Sequence, residues 1–174
     1  MTQQEFVQKY LPVAQAAVAG TTLLPETVIT VAGLESNWGN SKLAAIYNNF
    51  FGIKAGSSWR GNVVDLPTYE YVNGQKVLVH DYFRAYSSPE ESFRDFVSLI
   101  TGLSRYKSVL QMDTVKSQFD ALQAAGYSTN PNYSRILLSV FNDIKGFLTS
   151  QGGGLAAIIV VGIIAAVYFL GRSL

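Results

Sequence analysis

Residues 155–170 read LAAIIVVGIIAAVYFL, directly after the triplet Gly152-Gly153-Gly154, and their only polar side chain is Tyr168. No other stretch restricts the chain more. A helix apolar on every side has no face for water, so it must be buried all round or lie in lipid. Residues 155–170 as a helix would reach about 24 Å, against about 30 Å of bilayer hydrocarbon. The uncharged stretch from Gly146 to Gly171 is longer and could complete a span. Tyr168 stands near its end, where an interfacial ring belongs. The alternative is a buried core helix, for which so small a protein has little room. The expected organisation is therefore a globular domain over 1–148, a glycine-rich linker over 149–154, a transmembrane helix over 155–171 and a short tail over 172–174. Lys145 before the run and Arg172 after it leave its orientation open.

What precedes the run suits one globular domain. With no cysteine, disulfides, thiolate zinc sites and a cysteine nucleophile are excluded. The single histidine, His80, reads as a strand residue and leaves no material for a His-rich metal site or a Ser-His-Asp triad. A net charge of +1 lacks the basic excess of nucleic-acid binders, so no nucleic-acid partner is expected. Chemistry must rest on carboxylates, tyrosines and amides. Ten Tyr and two Trp exceed the needs of a small core, and sugar-binding clefts use such rings.

Residues 11–19, LPVAQAAVA, look like a short signal peptide with an A-x-A site. The segment before them carries Glu5 as well as Lys9 and so lacks net positive charge. Phe6, Tyr10, Ala14, Ala17 and Val18 share one helical face, which favours a first helix. Pro25 suits the first turn of a second helix over 25–36, ended by Gly39. Ser41 can cap a short helix over Lys42–Tyr47. Residues 52–62 hold three glycines and read as a loop. Two β-rich runs follow, VVDLPTYEYV and VLVHDYFRAY, joined by Asn-Gly-Gln-Lys, a strong hairpin signal. Ser88-Pro89-Glu90-Glu91 is a capping box before a helix whose apolar face is Phe93, Phe96, Val97 and Ile100. Asp113 can cap another helix that stops at Gly126. A last helix starts near Asn132. The fold class is α+β, mostly α, with one hairpin, followed by the C-terminal transmembrane helix.

The acid at Glu35 closes the second helix. Val28, Ile29, Val31, Ala32 and Leu34 before it are apolar. A carboxyl at the edge of a core loses hydration, which disfavours its charged form and raises its pKa. The negative end of the helix dipole acts in the same direction. A carboxylic acid still protonated near neutral pH is what general-acid cleavage of a glycosidic bond requires. The other possibility is an exposed Glu that merely ends a helix.

The stretch LESNWGNSKLAAIYNNFFGIK resembles the glucosaminidase family of peptidoglycan hydrolases, in which the motif runs Glu-Ser-x-Trp-Gly-x-Ser, then Asn-Asn or Tyr-Asn, then Phe-Gly-Ile-Lys or Phe-Gly-Val-Lys. Glu35, Ser36, Trp38, Gly39, Ser41, Asn48, Asn49, Phe51, Gly52, Ile53 and Lys54 carry the match. It continues through Trp59 and Gly61, TYEYVNG, FRAYSS and AGYSTNPNY. The resemblance implies a lysozyme-like helical domain with a hairpin beside the cleft, and cleavage of β-1,4 links following N-acetylglucosamine. It implies peptidoglycan glycan strands as the partner and, because acid–base glycoside cleavage needs none, no metal and no organic cofactor.

Carried over residue by residue, Glu35 matches the general acid and Glu70 the family's second acidic position. Strand alternation sends Thr68, Glu70 and Val72 to one face and Tyr69 and Tyr71 to the other. Tyr127 matches the tyrosine after Ala-Gly, where its hydroxyl could orient the acetamido group or the attacking water. Asn48, Asn49, Phe51, Trp59 and Tyr133 are the substrate-binding candidates. The asparagines bond either the loop backbone or sugar hydroxyls. The rings stack on sugar faces or pack in the core. Asn130 stands where many relatives carry Asp. Trp38 is expected under the acid, and Asp95 in an ion pair or structural hydrogen bond.

Lytic transglycosylase is a second reading, disfavoured by FFGIK and by Glu70, and a non-catalytic wall-binding protein is a third. The leading reading is an endo-β-N-acetylglucosaminidase acting on peptidoglycan, and the apolar run, with no recognisable leader before it, predicts that it is membrane-anchored and bound to the lipid bilayer. Two settings fit: a lysin in the virion membrane of a phage, with other virion proteins as partners, or a remodelling enzyme of the bacterial envelope.

Overall fold

The computed structural model describes residues 1–72 and 75–149, with side chains outside 68–76. Helix α1 (Gln3–Val18) opens with a capping box in which Thr2 and Glu5 satisfy each other's backbone N–H groups. It buries Phe6, Val7, Tyr10, Leu11, Ala14 and Val18; Val7 and Leu11 join the expected face, while Ala17 is only half-buried. Pro12 lies inside this helix on an exposed side, where the carbonyl it leaves unpaired can meet water. Helix α2 (Pro25–Glu35) is buried on all sides from Thr27 to Gly33 and forms the centre of the domain. Helix α3 (Lys42–Tyr47) is capped by the Ser41 hydroxyl, as its sequence predicts.

The hairpin pairs β1 (Asn62–Val72) with β2 (Gln75–Ala85), antiparallel, from Asn62 opposite Ala85 to Val72 opposite Gln75. The second strand therefore starts two residues earlier than expected, because Gln75 and Lys76 join the ladder. Positions 73–74, the Asn-Gly signal, lie outside the described residues. Helix α4 (Pro89–Gly102) begins at the predicted cap, Ser88, and packs Phe93, Phe96, Val97 and Ile100 inward. Glu91 reaches back to the Ser87 N–H rather than to Ser88. Two short 3₁₀ turns, over Ser104–Tyr106 and Val109–Gln111, lead to α5 (Val115–Ala124). Its cap is Thr114, not Asp113, since Thr114 and Ser117 form a reciprocal box. Gly126 follows with φ of 72°, the left-handed residue that ends a helix. Helix α6 occupies 133–149. Around α2 the core gathers Phe6, Phe93, Phe96, Phe119, Leu122, Leu137 and Ile144.

The fold is mostly helical α+β with a two-stranded hairpin, and one part of the expected fold class is corrected. No helix among the described residues is long and apolar enough to cross a membrane. The apolar run over 155–171, on which the transmembrane helix, the bilayer contact and the membrane-anchored localisation all rested, lies outside the described residues. By itself the run of 155–170 is also shorter than a hydrocarbon core. The anchor, the phage-membrane setting and the envelope-anchored alternative are accordingly dropped.

Candidate active site

Glu35 ends α2 beside an unusual piece of backbone. Asn37 and Trp38 both take positive φ, 51° and 58°, in the left-handed region that disfavours side chains. The Trp38 N–H bonds the Gly33 carbonyl at 2.8 Å, folding the indole back over α2. A Cβ at Gly33 would lie 2.5 Å from the Trp38 ring, so only glycine admits this approach. Phe6 meets the same ring edge-on at 5.7 Å. The Ser36 hydroxyl, fully buried, donates to the Ala32 carbonyl and accepts from the Gly39 N–H. Sequence thus builds a rigid turn whose purpose is to fix the residue before it.

Glu35 faces an open groove of about 470 Å³, lined also by Phe51, Lys54, Arg84, Arg105 and Tyr127. The Glu35 side chain is exposed to the groove, so water reaches the carboxyl, while the protein packed behind it still costs it part of its hydration. Loss of hydration pushes the carboxyl above the usual glutamate range, and a hydrogen bond from Tyr133 opposes part of that rise. The Tyr133 hydroxyl donates to Glu35 Oε1 at 2.6 Å. Tyr133 is 4% exposed and sits in the first turn of α6. Tyr127, half-buried, packs against Tyr133 with ring centroids 5.8 Å apart and against Phe96 edge-on. Burial, and after it the nearby Glu35 charge, hold the Tyr127 phenol well above its ordinary pKa, so it remains a proton donor for hydrogen bonds.

The remaining candidates fall in different places. Asn49 is 1% exposed and spends its amide on four backbone bonds: Nδ2 to the Ile53 and Arg84 carbonyls, Oδ1 from the Phe51 and Ile53 N–H groups. Asn48 takes φ of 53° at the end of α3 and donates to the Tyr86 carbonyl. Both asparagines therefore hold the loop that forms one groove wall to the hairpin base. Phe51 shows the groove only an edge, because its face stacks on Phe96 at 4.2 Å. Trp59 lies flat against Gly61, with the Arg84 guanidinium 4.4 Å over its ring. Glu70 pairs across the hairpin with Val77; its side chain is outside the described residues. Among those residues no cluster of acids and histidines could hold a metal ion.

Three groove residues escaped the sequence reading. Arg84 donates through one nitrogen to both oxygens of Asp95, at 2.9 and 2.7 Å, and the Tyr86 hydroxyl joins the same carboxylate at 2.7 Å. This ties β2 to α4 beneath the groove. Arg105 and Tyr106 come from the 3₁₀ turn after α4. The only sequence signal for them was an Arg-Tyr pair in a segment with no helical period.

A sequence model of the glucosaminidase family, described as mannosyl-glycoprotein endo-beta-N-acetylglucosaminidase, matches residues 11–146. The chain is 40% identical over 122 residues to the peptidoglycan hydrolase FlgJ of Salmonella typhimurium, covering 68% of this chain and 39% of that protein. It is 38% identical over 137 residues to the exo-glucosaminidase LytG of Bacillus subtilis, covering 76% and 48%. It therefore spans less than half the length of either relative. Among solved structures, a peptidoglycan hydrolase mutant from Sphingomonas sp. A1 superposes with a TM-score of 0.75 at 35% identity, over 84% of this chain and 99% of that one. The glycoside hydrolase domain of Salmonella typhimurium FlgJ gives 0.72 at 31% identity, over 91% and 98%.

Proposed function

The chain belongs to the glucosaminidase family of glycoside hydrolases, and from that premise we propose that it cuts the peptidoglycan glycan strand at β-1,4 links following N-acetylglucosamine, with Glu35 as the general acid. The observation that carries the proposal is the carboxyl itself. It opens on a groove, is pushed toward its protonated form by burial, and is aimed by the Tyr133 hydroxyl at 2.6 Å.

In this mechanism the Glu35 proton passes to the glycosidic oxygen as the bond from that oxygen to C1 breaks. The sugar left with positive charge at C1 is captured by water. Glu70 takes the proton from that water. Position 70 lies on β1 opposite Val77, and its role here rests on its match to the family's second acidic position. Tyr127 keeps its phenolic proton and holds the acetamido group or the water in line. Participation of the substrate's own N-acetyl group is the competing route, and it would leave Glu70 dispensable.

Mass spectrometry of digested cell wall tests the reading. The wild-type chain should release fragments with N-acetylglucosamine at the reducing end, and their lengths report endo or exo action. Glu35→Gln should cut the rate by at least about a hundredfold while the fold survives, as loss of a general acid does. Anhydromuramic ends would identify a lytic transglycosylase instead. A fully active Glu35→Gln would remove Glu35 from the chemistry.

A further inference from the structure

A neutral sugar chain gives a cleft no reason to carry cations, yet three basic side chains line this groove: Lys54, Arg84 and Arg105. Two are neutralised. Lys54 pairs with Asp81 at 2.6 Å, and Arg84 with Asp95 at 2.7 Å. No carboxylate among the described residues lies within ion-pair distance of Arg105. Its guanidinium instead sits 4.5 Å over the ring of Tyr106, which is 1% exposed and cannot move away. Tyr106 in turn touches Tyr127, with centroids 6.2 Å apart. A row of rings thus separates the exposed cation from the acid: Arg105, Tyr106, Tyr127, then Tyr133 bonded to Glu35.

We propose that Arg105 is the docking point for a carboxylate of the peptide stem carried by the glycan strand, which makes the groove selective for strands bearing charged stems. The inference rests on the peptidoglycan reading above. A guanidinium matches a carboxylate with two parallel N–H donors. Stacking on Tyr106 holds the fork in place before the ligand arrives, so less side-chain freedom is lost on binding. The sugars themselves offer this group nothing charged, whereas a peptide stem offers free carboxylates. The separation between cation and acid places the stem beside the cut and leaves the reacting atoms to Glu35.

Binding measured in a Glu35→Gln background tests this without turnover. Two probes are prepared from the same soluble glycan chains: one with native stems, one with the stem carboxylates converted to methylamides. The Glu35→Gln protein should bind the native chains about tenfold more tightly, the range expected for one charge-assisted pair at a solvent-reached site. Adding Arg105→Gln should abolish that preference, and Arg105→Lys should keep part of it. Equal binding of the two probes by Glu35→Gln overturns the proposal with no arginine variant needed. A preference that survives Arg105→Gln overturns it as well. If wild-type protein fails to cut native chains that Glu35→Gln binds with the stated preference, the hydrolase reading fails and the docking point stands.

Discussion

Gly33→Ala tests how tightly the turn behind Glu35 is built. The new methyl would lie 2.5 Å from one carbon of the Trp38 ring and 2.9 and 3.2 Å from two others. The indole cannot retreat easily. Phe6 backs it at 5.7 Å, and the backbone N–H of Trp38 is bonded to the Gly33 carbonyl, which holds the residue in place. Overpacking of this kind costs about 1–3 kcal/mol. Replacing glycine by alanine within a helix returns about 1 kcal/mol. The difference is a net loss of about 1 kcal/mol, or roughly 2–4 °C in Tm for a domain of this size. Urea unfolding of the full chain measures it. Glu35 lies two residues further along, so the same displacement should slow wall cleavage about tenfold or more through misplacement of the acid. In a Trp38→Ala background the clash is gone, and Gly33→Ala should become stabilising by up to about 1 kcal/mol. A Gly33→Ala protein as stable and as active as wild type, or one whose effect is unchanged without the indole, would refute the packing argument.

Three further predictions concern the groove. Asn49→Ala should destabilise the fold by about 3 kcal/mol, since it orphans buried backbone groups; a raised KM with unchanged stability would instead make Asn49 a sugar ligand. Tyr133→Phe removes the donor that favours the ionised carboxyl, so Glu35 should hold its proton to higher pH and the alkaline limb of kcat/KM should move upward. A limb that stays in place under Tyr133→Phe would separate that bond from catalysis. Glu35→Gln should also change how stability depends on pH. Burial raises the folded-state pKa of Glu35 above its unfolded value, so wild type loses stability as pH climbs from the unfolded value through the folded one. Glu35→Gln lacks that loss and should gain on wild type across this window, with no gain below it; a difference independent of pH would contradict the burial argument.

Much of this molecule was readable because local rules agree with the fold. The Ser41 and Ser88 caps, the apolar faces of α1 and α4, and the left-handed glycine after α5 are each set within one helical turn. The miss at Asp113 is of the same kind. Two adjacent residues could cap, and Ser117 three positions after Thr114 decides between them. The site was harder, because its parts meet across the chain. Motif spacing pointed to Glu35, but no spacing reveals that Tyr133, 98 positions later, donates to it. The choice open at Asn48 and Asn49, backbone or sugar, depended on carbonyls of β2 and Tyr86 that only the folded hairpin brings near. Arg105 carried no signal beyond its place in an Arg-Tyr pair, and its position follows from the turn that comes after α4. The apolar run misled for the opposite reason: its composition spoke strongly, while no helix among the described residues can cross a membrane.

Carbon-13 NMR titration of the Glu35 side chain in the full-length protein examines the acid directly. The midpoint should lie clearly above the ~4.3 of an unperturbed glutamate and should coincide with the alkaline limb of wall cleavage. A midpoint at or below that ordinary value would mean the carboxyl has already given up its proton where the enzyme must donate it, and Glu35 could not be the acid.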